Sequence, residues 1–514
     1  QNKIPSNLIG SHSLKAWGYR LGEYKGEFGE QTDWSTWSVS MQKYCEQDVR
    51  LNYKLWKLIA SKEVPEATLD LEHEFARLIR KQEWEGFPFD YEGARELYKE
   101  LKQEQEVLHK ELEKIFQPWY TKVEEFTPKV NNKKLGYVKG CEMTKIELKH
   151  FNPNSRQQIA DRLQTLFGWQ PKEFTPKSEE PKIDDEILGK LPWPEAQQIG
   201  RYMMLKKRIG QIAEGDNAWL KMYNHKTGRI HGKVNTVGTV TGRCSHNKPN
   251  VAQTPNMNAP YGKECRSLFF APEGYYLIGC DAAQLELRCL AHYLTFYDGG
   301  EYRENLLKGD IHWVHAQALG LVNDKTFDEN NTTHDWARNA VAKRFIYAFL
   351  YGAGDAVIGE ILDPKASVSK QKKMGKDMKA QFFARIPALN ELLKIVKKKI
   401  QSAGCLIGLD GRILKVRESY RGLNTLLQSA GGLVMKQATI DFWHNVEAMG
   451  YTFGNEVTQV AHIHDEYQHL CQTGLEDIIG PTAVNGITNA GTFFKFNCPL
   501  DGDYKVGKNW AQTH

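Results

Sequence analysis

The chain has 514 residues and a net charge of +5, with 41% hydrophobic and 25% charged residues. This composition, with no apolar run near the roughly 18 residues that span a bilayer, excludes an integral membrane protein and predicts two to four packed globular units. Nine cysteines without a CxxC pair exclude a zinc ribbon, a redox motif or a disulfide scaffold and favour a reducing, cytosolic compartment.

The first predicted element is a helical segment that ends near Ser61. Tyr44, Asp48 and Leu51 fall at helical spacing within it, which is typical of the last helix of a domain. Because the chain begins at Gln1 rather than Met and has no signal-peptide pattern, we expect it to start inside a longer protein.

A pair of long helices is predicted after Pro65. Asp90 caps the second helix, whose apolar stripe from Leu97 to Ile115 is surrounded by Lys and Glu, as in an antiparallel helical arm. Between Phe116 and His150 this pattern dissolves into a Lys-rich, turn-rich stretch. We therefore predict an insertion at the tip of the arm.

The remaining elements alternate in an α+β manner. Ser155 caps a helix that begins near Arg156, and a further helix over residues 194–220 carries the cations of residues 206–208. From His231 onward, short β-prone runs alternate with helices.

Two predicted strands end in acids. The buried strand 275–280 runs into Asp281, and the strand 460–464 delivers Asp465 and Glu466. Each Asp taken alone is also compatible with a turn or a helix cap. Two such strands can nevertheless present both carboxylates side by side, where hard oxygen ligands suit magnesium rather than zinc.

A predicted helix from Trp336 to Gly354 carries a mixed polar face. Lys343, Tyr347 and Tyr351 are four residues apart, so they offer a cation for phosphate oxygens and aromatic groups for a sugar and a base. The alternative is a core helix with a snorkelling lysine and packed tyrosines.

These segments resemble the family A, Pol I-like DNA polymerases. Residues 281–288 resemble the first palm motif of that family, residues 464–466 its third motif, and residues 336–354 its finger motif. The resemblance implies an α+β multidomain protein with the palm, fingers and thumb of a right-hand polymerase. The C-terminal remnant of an RNase H-like 3′-5′ exonuclease domain would precede them.

The resemblance also implies the reaction. DNA synthesis would run 5′-3′ from dNTPs on a primer, with two Mg²⁺ ions about 3.5 to 4 Å apart activating the 3′-hydroxyl and steadying the leaving pyrophosphate. Asp281, the backbone of Ala282 and Asp465 would bind the metals, Mn²⁺ could substitute, and Glu466 would support the site.

The residues expected to bind the dNTP are Glu286, His312, Arg338, Lys343, Tyr347 and Tyr351. Glu286 would lie under the sugar and reject ribonucleotides, and His312 belongs to a segment that resembles a triphosphate-binding loop. The hydroxyl of Tyr347, where many members have Phe, predicts ready incorporation of dideoxynucleotides.

One position departs from the family pattern. The usual Arg four residues before the Lys is Asn339 here, and Arg338 lies five residues before it, about 140° off the face of an α-helix. Three explanations stay open: Arg338 reaches round, Arg344 or another cation substitutes, or the helix is locally irregular.

Three segments resemble primer-template contacts of the family, and the residues expected at DNA are Arg243, Asn250, Asn424, Gln428 and His464. Arg243 and Gln428 carry donors suited to the minor-groove acceptors that all correct base pairs share. Such contacts would check pair geometry without reading sequence.

The chain most resembles the replicative polymerases of short-tailed, T-seven-like bacteriophages, which act in the cytoplasm of an infected bacterium. Tyr44 and Asp48 fit the last motif of their proofreading exonuclease, as a water-orienting residue and a metal ligand. The two earlier motifs are absent, so the exonuclease is N-terminally incomplete and proofreading by this polypeptide alone is doubtful.

The resemblance predicts the division of the chain and its partners. The expected units are a partial exonuclease domain (1–65), a thumb (66–230) with its insertion (116–150), a palm (231–300 and 425–514) and fingers (301–424). Related insertions recruit thioredoxin as a processivity factor, but this one is shorter and lacks an obvious matching motif. Three alternatives therefore stay open: the insertion binds another partner, it contacts DNA through its lysines, or it does neither. A replicative helicase-primase is a further candidate partner of the chain.

Two rival functions make different demands on these residues. A single-subunit RNA polymerase shares the two aspartates and the Lys-Tyr-Gly helix, but Glu286 argues against it. A non-catalytic DNA-binding replication subunit should have lost a metal carboxylate, and both are present.

Overall fold

The computed structural model describes residues 4–24, 28–31, 34–175 and 178–514. The N-terminal segment is helical, as predicted, and Ser13 and Ser38 cap its first and last helices. Among the described residues, no helix is both long and apolar enough to cross a membrane. The helices are α1 (Leu14–Leu21), α2 (Phe28–Gln31) and α3 (Val39–Ala60).

The helical arm follows, with Asp90 and Ser155 as helix caps, as predicted. Its elements are α4 (Glu66–Glu85), β1 (Phe87–Pro88), α5 (Tyr91–Ile115), β2 (Trp119–Phe126), β3 (Met143–Lys149), α6 (Arg156–Phe167), α7 (Asp185–Gly189), α8 (Pro194–Ile209), α9 (Trp219–Met222), β4 (Tyr223–Asn224) and β5 (Arg229–Ile230).

Two details of the arm differ from the sequence prediction. The helix predicted over residues 194–220 is interrupted, because a π-helical turn at Gly210–Glu214 separates α8 from α9. The insertion, predicted as a turn-rich stretch, contains the antiparallel hairpin of β2 and β3. The hairpin is largely exposed, so its strands lack the buried apolar alternation that identifies most strands in a sequence.

The rest of the chain alternates strands and helices. The elements are β6 (Lys233–Asn235), β7 (Ser245–Asn247), α10 (Gly262–Ser267), β8 (Tyr275–Ala282), α11 (Leu285–Asp298), α12 (Glu301–Lys308), α13 (Ile311–Ala318), α14 (Thr332–Asp335), α15 (Lys343–Leu350), α16 (Asp355–Leu362), α17 (Val368–Arg385), α18 (Pro387–Ala403), β9 (Cys405–Ile407), β10 (Ile413–Lys415), α19 (Gly422–Ala448), β11 (Val457–Ile463), β12 (Glu466–Gln472), α20 (Glu476–Phe493) and β13 (Gly502–Gly507).

A four-stranded antiparallel sheet lies at the centre of this part, in the order β11-β12-β8-β13. Successive residues of its strands point to opposite faces, so Leu277 and Leu470 join one hydrophobic core while Ile278 and Cys471 join the other. One core includes α4, α11 to α13 and α15 to α20, and the other includes α5 to α9 of the arm. The sheet is therefore fixed from both sides and holds its end rigidly.

Candidate active site

The two predicted acidic strand ends meet at one end of the central sheet. Asp281 lies near the end of β8, directly opposite Glu466 in β12, and Asp465 lies in the turn between β11 and β12. The Ala282 N–H donates to the Asp465 carbonyl at 2.9 Å. His464 has a φ of 56°, the left-handed conformation that lets this turn close within two residues.

The carboxylates crowd one another in a partly buried place. Burial, followed by the charges of Asp465 and Glu466, raises the pKa of Asp281 to about 7. Repulsion of this kind is relieved by a bound cation or a proton. The corner formed by Asp281, Ala282 and Asp465 is called the acidic corner below.

Glu466 has a different environment from the other two acids. It is 5% exposed, and it accepts hydrogen bonds from Trp510 Nε1 at 2.6 Å, Gln468 Nε2 at 2.5 Å and His514 Nδ1 at 2.9 Å. Burial raises the pKa of Glu466, but these bonds and the charge of His514 outweigh it and lower the pKa overall. Both carboxylate oxygens of Glu466 are thus occupied by hydrogen bonds, including those from Trp510 and His514 near the C-terminus. The sequence analysis did not connect these two residues with Glu466.

The donor set of the acidic corner fits magnesium. Among the described residues, no three His, Cys, Asp or Glu side chains group to hold a metal. Two carboxylates and the main-chain carbonyl of Ala282 are all hard oxygen donors, and Mg²⁺ commonly binds through one or two carboxylates plus substrate phosphates. A site with so few protein ligands leaves coordination positions open for a substrate.

A cavity of about 600 Å³ opens beside the acidic corner. Its lining residues are Arg243, Asp281, Ala282, Gln284, Leu285, Glu286, Tyr347, Tyr351, His464 and Asp465. Glu286 accepts a hydrogen bond from the Tyr351 hydroxyl at 2.6 Å and pairs with Arg243 at 3.5 Å. Arg243 in turn donates from Nε to the Gln428 carbonyl at 3.2 Å, so two predicted DNA residues are in direct contact.

The helix predicted over residues 336–354 is irregular in its first half. Residues Trp336–Ala342 form a π-helical segment, and the Lys343 N–H donates to the Arg338 carbonyl five residues earlier. In such a turn residues five apart lie one above the other, so Arg338 and Lys343 share a face. Of the three explanations left open by the sequence, local irregularity is the one observed.

Arg338 and His312 approach the same place from two elements. Asp310 caps α13 by accepting the His312 and Trp313 N–H groups at 3.1 and 3.2 Å, and its second oxygen binds Arg338 Nε. The rings of His312 and Tyr347 are 6.2 Å apart. Burial, followed by the charges of Lys343 and Arg338, lowers the pKa of His312 to about 4.

The ring of His312 has one uncommitted nitrogen. Its Nδ1 is buried and has no hydrogen-bond partner in the part of the chain that the structure describes. A buried polar atom of this kind is costly unless a ligand satisfies it. Together with Arg338 and Lys343, it makes the place beside the Tyr347 ring suited to an anion.

A second cavity, of about 900 Å³, adjoins the acidic corner on the side of the helical arm. Lys207, Asn250, His464 and Asp465 are among its lining residues. The Asn250 Oδ1 is buried without a partner among the described residues. The cavity therefore places polar groups of the arm and of the sheet around one channel.

Other predicted residues lie at the margins. Asn424 and Gln428 are half-buried in the first turns of α19. Tyr44 and Asp48 lie on α3, where the Tyr44 ring packs 5.5 Å from Phe28 and 5.8 Å from Trp34. Neither Tyr44 nor Asp48 is among the residues that line the two cavities beside the acidic corner.

Comparison with known proteins gives a consistent result. The family model described as DNA polymerase family A matches residues 121–512. The DNA-directed DNA polymerases of Escherichia phage T7 and Enterobacteria phage T3 are each 35% identical over 615 aligned residues, covering 100% of this chain and 84% of each relative. DNA polymerase I of Chloroflexus aurantiacus is 27% identical and covers 70% of this chain and 38% of that protein.

A solved structure matches nearly the whole fold. The POL domain of Pol1 from M. smegmatis, in complex with DNA primer-template and dNTP, superposes with a TM-score of 0.71 at 16% sequence identity. The match covers 98% of this chain and 80% of that one. The predicted α+β fold with right-hand architecture is thereby confirmed.

Proposed function

Because the chain belongs to DNA polymerase family A, a family of nucleotidyltransferases, we propose that it extends primers with dNTPs by a two-metal mechanism during phage DNA replication. One observation carries this proposal. The acidic corner shares a single cavity with Glu286, Tyr347 and Tyr351, the groups expected around a deoxynucleotide.

The chain's own residues would bind and orient the reactants. Arg338 and Lys343, one above the other on the π-helical turn, would bind the triphosphate, with the free Nδ1 of His312 as a third contact. Mg²⁺ bound at Asp281 and Asp465 would supply charge neutralisation and lower the pKa of the primer hydroxyl. Glu466, held by the C-terminal residues, would keep the strand end in place.

Selection of DNA over RNA would depend on Glu286. Tyr351 and Arg243 hold its carboxylate from two sides, so it cannot easily move away from an incoming 2′-hydroxyl. The Glu286 carboxylate also fills the space that a 2′-hydroxyl would need, and it is not placed to compensate that hydroxyl for the water it loses. The product would therefore be DNA.

The remaining sequence predictions stand as part of the same proposal. Residues 66–230 would form the thumb, 231–300 and 425–514 the palm, and 301–424 the fingers, with 1–65 as the exonuclease remnant. The β2–β3 hairpin in the insertion would be a possible binding site for a processivity factor. Arg243, Asn250, Asn424, Gln428 and His464 would contact primer-template DNA in the cytoplasm of an infected bacterium.

Primer extension tests the proposal. The intact chain with Mg²⁺ should extend a primer with dNTPs but not with NTPs, and Asp465→Asn should reduce the rate at least about 10³-fold, because several kcal/mol of metal-dependent stabilisation is lost. Asp503→Asn is the matched control, since Asp503 lies opposite Asp281 on the edge strand β13 and is exposed.

The proposal fails if extension survives Asp465→Asn or if ribonucleotides are used equally well. The first outcome would remove the acidic corner from the chemistry. The second would favour an RNA polymerase.

A further inference from the structure

Four charged side chains form a network in the interior of the protein. They are Glu72 from α4, Asp410 and Arg412 from the turn into β10, and Lys436 from α19. None of the four lines either cavity beside the acidic corner. This group of two acids and two bases is called the buried ion network below.

The contacts of the buried ion network converge on Arg412. Asp410 accepts from its Nε and Nη2 at 2.7 to 3.0 Å with both carboxylate oxygens. One oxygen of Glu72 lies 2.7 Å from Nη2 of Arg412 and 2.6 Å from Nζ of Lys436. The side chains of Asp410 and Lys436 are only 2% and 1% exposed. The guanidinium of Arg412 is thus held in one orientation.

Burial of four charges is costly in free energy. Charges that leave water lose their solvation, and their mutual attraction only roughly repays this loss, so apolar side chains of similar size often stabilise a protein equally well or better. A requirement for one defined arrangement therefore explains such a network better than stability does.

Arg412 supports the backbone next to Arg243. A Cβ on Gly242 would collide with the Arg412 guanidinium, so the two residues are in close contact. Gly242 has a φ of 79°, and its N–H donates to the Thr239 carbonyl at 3.1 Å. The turn that presents Arg243 therefore needs glycine at this position, both for its left-handed backbone and for the approach of Arg412.

Helix α19 holds the other side of Arg243. Arg243 Nε donates to the Gln428 carbonyl at 3.2 Å, and a Cβ on Gly432 would lie 3.0 Å from Arg243 Cγ. Lys436 follows Gly432 by one helical turn on the same side of α19. Because one oxygen of Glu72 binds both Arg412 and Lys436, the buried ion network joins the two supports between which Arg243 lies.

We propose that Arg412 and Lys436 are positioning residues that fix Arg243 for its contact with the minor groove of the primer-template. Arg412 would hold the backbone at Gly242, and Lys436 would tie Arg412 to α19 through Glu72. This proposal rests on the proposed function, since it concerns the support of a DNA contact named there.

Precise placement matters for a contact of this kind. The minor-groove acceptors lie at equivalent places in all correct base pairs, whereas a mispair displaces them. An arginine side chain has several rotatable bonds, so a donor on a loosely held backbone would follow displaced acceptors. Rigid support of Arg243 would therefore increase discrimination against mispaired primer ends.

Primers that contain 3-deazaadenine test the proposal. This base keeps its Watson–Crick pair but replaces the N3 acceptor of the minor groove by C–H. It is placed at each primer position near the 3′ end in turn, and kcat/KM for the next dNTP is compared with that of the adenine primer. In the parent, one position should show a loss of about 10- to 100-fold, the value of a hydrogen bond to a charged group. Arg243→Ala should remove this loss, which identifies the position.

Arg412→Lys tests the first positioning residue. Lysine keeps the charge but lacks the planar fork that binds two carboxylates together. The loss caused by 3-deazaadenine should fall to less than about threefold, as the hydrogen bond of Arg243 is weakened. Arg303→Lys is the matched control, because Arg303 also donates to a distant carbonyl, that of Asn497 at 3.1 Å, and lines neither cavity. This control should keep the parental loss.

The double variant Glu72→Gln with Lys436→Met separates positioning from stability. It removes one buried charge of each sign, so the net charge is unchanged and the midpoint of urea unfolding should stay close to the parental one. Arg412 then keeps Asp410 but loses its charged tie to α19. The loss caused by 3-deazaadenine should shrink at least about threefold. Extension of mispaired primer ends should rise relative to that of paired ends.

Several results would overturn the proposal. The parental loss could persist in Arg412→Lys or in the double variant, fall equally in Arg303→Lys, or be missing at every primer position in the parent. It is also overturned if kcat/KM falls by the same factor on both primers together with a lower urea midpoint, because the buried ion network would then only stabilise the fold. If the unmodified chain does not extend the adenine primer, the proposed function fails instead. The ratio of the Kd values for the two primer-templates then decides on the network, because binding needs no catalysis.

Discussion

Glu286 is the residue on which sugar selection depends, because its carboxylate is fixed by Tyr351 and Arg243. Glu286→Ala should open space under the sugar and raise the ratio of ribonucleotide to deoxynucleotide kcat/KM by about 100-fold or more, since each 1.4 kcal/mol of lost discrimination is tenfold. Single-nucleotide incorporation with dATP and ATP measures the ratio. Glu286→Gln keeps the volume and should keep most of the discrimination. An unchanged ratio in the alanine variant would contradict the assignment.

Tyr347 lines the same cavity, and burial, followed by the charges of Glu286 and Asp465, raises the pKa of its hydroxyl. The hydroxyl can take the place of a missing 3′-hydroxyl on a chain terminator. Tyr347→Phe should therefore lower the dideoxy-to-deoxy incorporation ratio by about 10- to 100-fold, the equivalent of one or two hydrogen bonds. Tyr351→Phe is the control, because it also loses one hydroxyl but should leave this ratio unchanged. Equal ratios for Tyr347→Phe and the parent would exclude this role.

At the scale of elements, the sequence predicted those parts whose signals are local. Neighbouring residues in the sequence indicate the apolar strands that lead to Asp281 and Asp465, and they also indicate helix caps such as Asp90. The structure contains these strands and this cap. The contacts of Glu466 with Trp510 and His514 depend on chain segments more than 40 residues apart, so no local pattern indicates them.

The π-helical segment shows why helix irregularity escapes a sequence reading. It differs from an α-helix only in a shift of hydrogen bonds from four residues to five, and nothing in the propensities of Ala, Val or Asn demands that shift. The five-residue spacing of Arg338 and Lys343 is the signal of irregularity that the sequence offers. The hydrogen bond from the Lys343 N–H to the Arg338 carbonyl explains that spacing.

This element predicts the effect of a deletion. Removing Ala340 should convert the segment to an α-helix with the arginine four residues before Lys343, so both cations stay on one face and kcat/KM for dNTPs should change less than about tenfold. The double exchange of Arg338→Asn with Asn339→Arg keeps the π-helical turn and moves the arginine off the face. It should lower kcat/KM about 10- to 100-fold, the value of a lost charge-assisted hydrogen bond. The opposite ranking in steady-state kinetics would show that Arg338 does not depend on this alignment.

At the scale of the whole molecule, the two cores meet at the central sheet and bury several histidines along with it. Burial lowers the pKa of His315, His462 and His469 to about 3 and that of His292 to about 4. Their usual pKa is 6.5. Below that value the unfolded chain binds protons that the folded chain cannot, so the free energy of unfolding must fall as the pH falls from 6.5 toward 3.

His469 allows this linkage to be isolated, because it is fully buried, its ring lies 4.2 Å from that of Phe442, and neither ring nitrogen has a hydrogen-bond partner among the described residues. His469→Phe keeps the ring but cannot be protonated. Between pH 7.5 and pH 5.5 the variant should lose about 1.4 kcal/mol less unfolding free energy than the parent, the value of one histidine that is uncharged when folded. Urea titrations followed by tryptophan fluorescence give both values, and replacing the exposed His73 by Gln should leave the difference unaltered. An identical pH dependence for His469→Phe and the parent would mean that His469 takes up its proton equally in the folded and the unfolded chain, and the sheet would then have to accommodate a buried charge at pH 5.5.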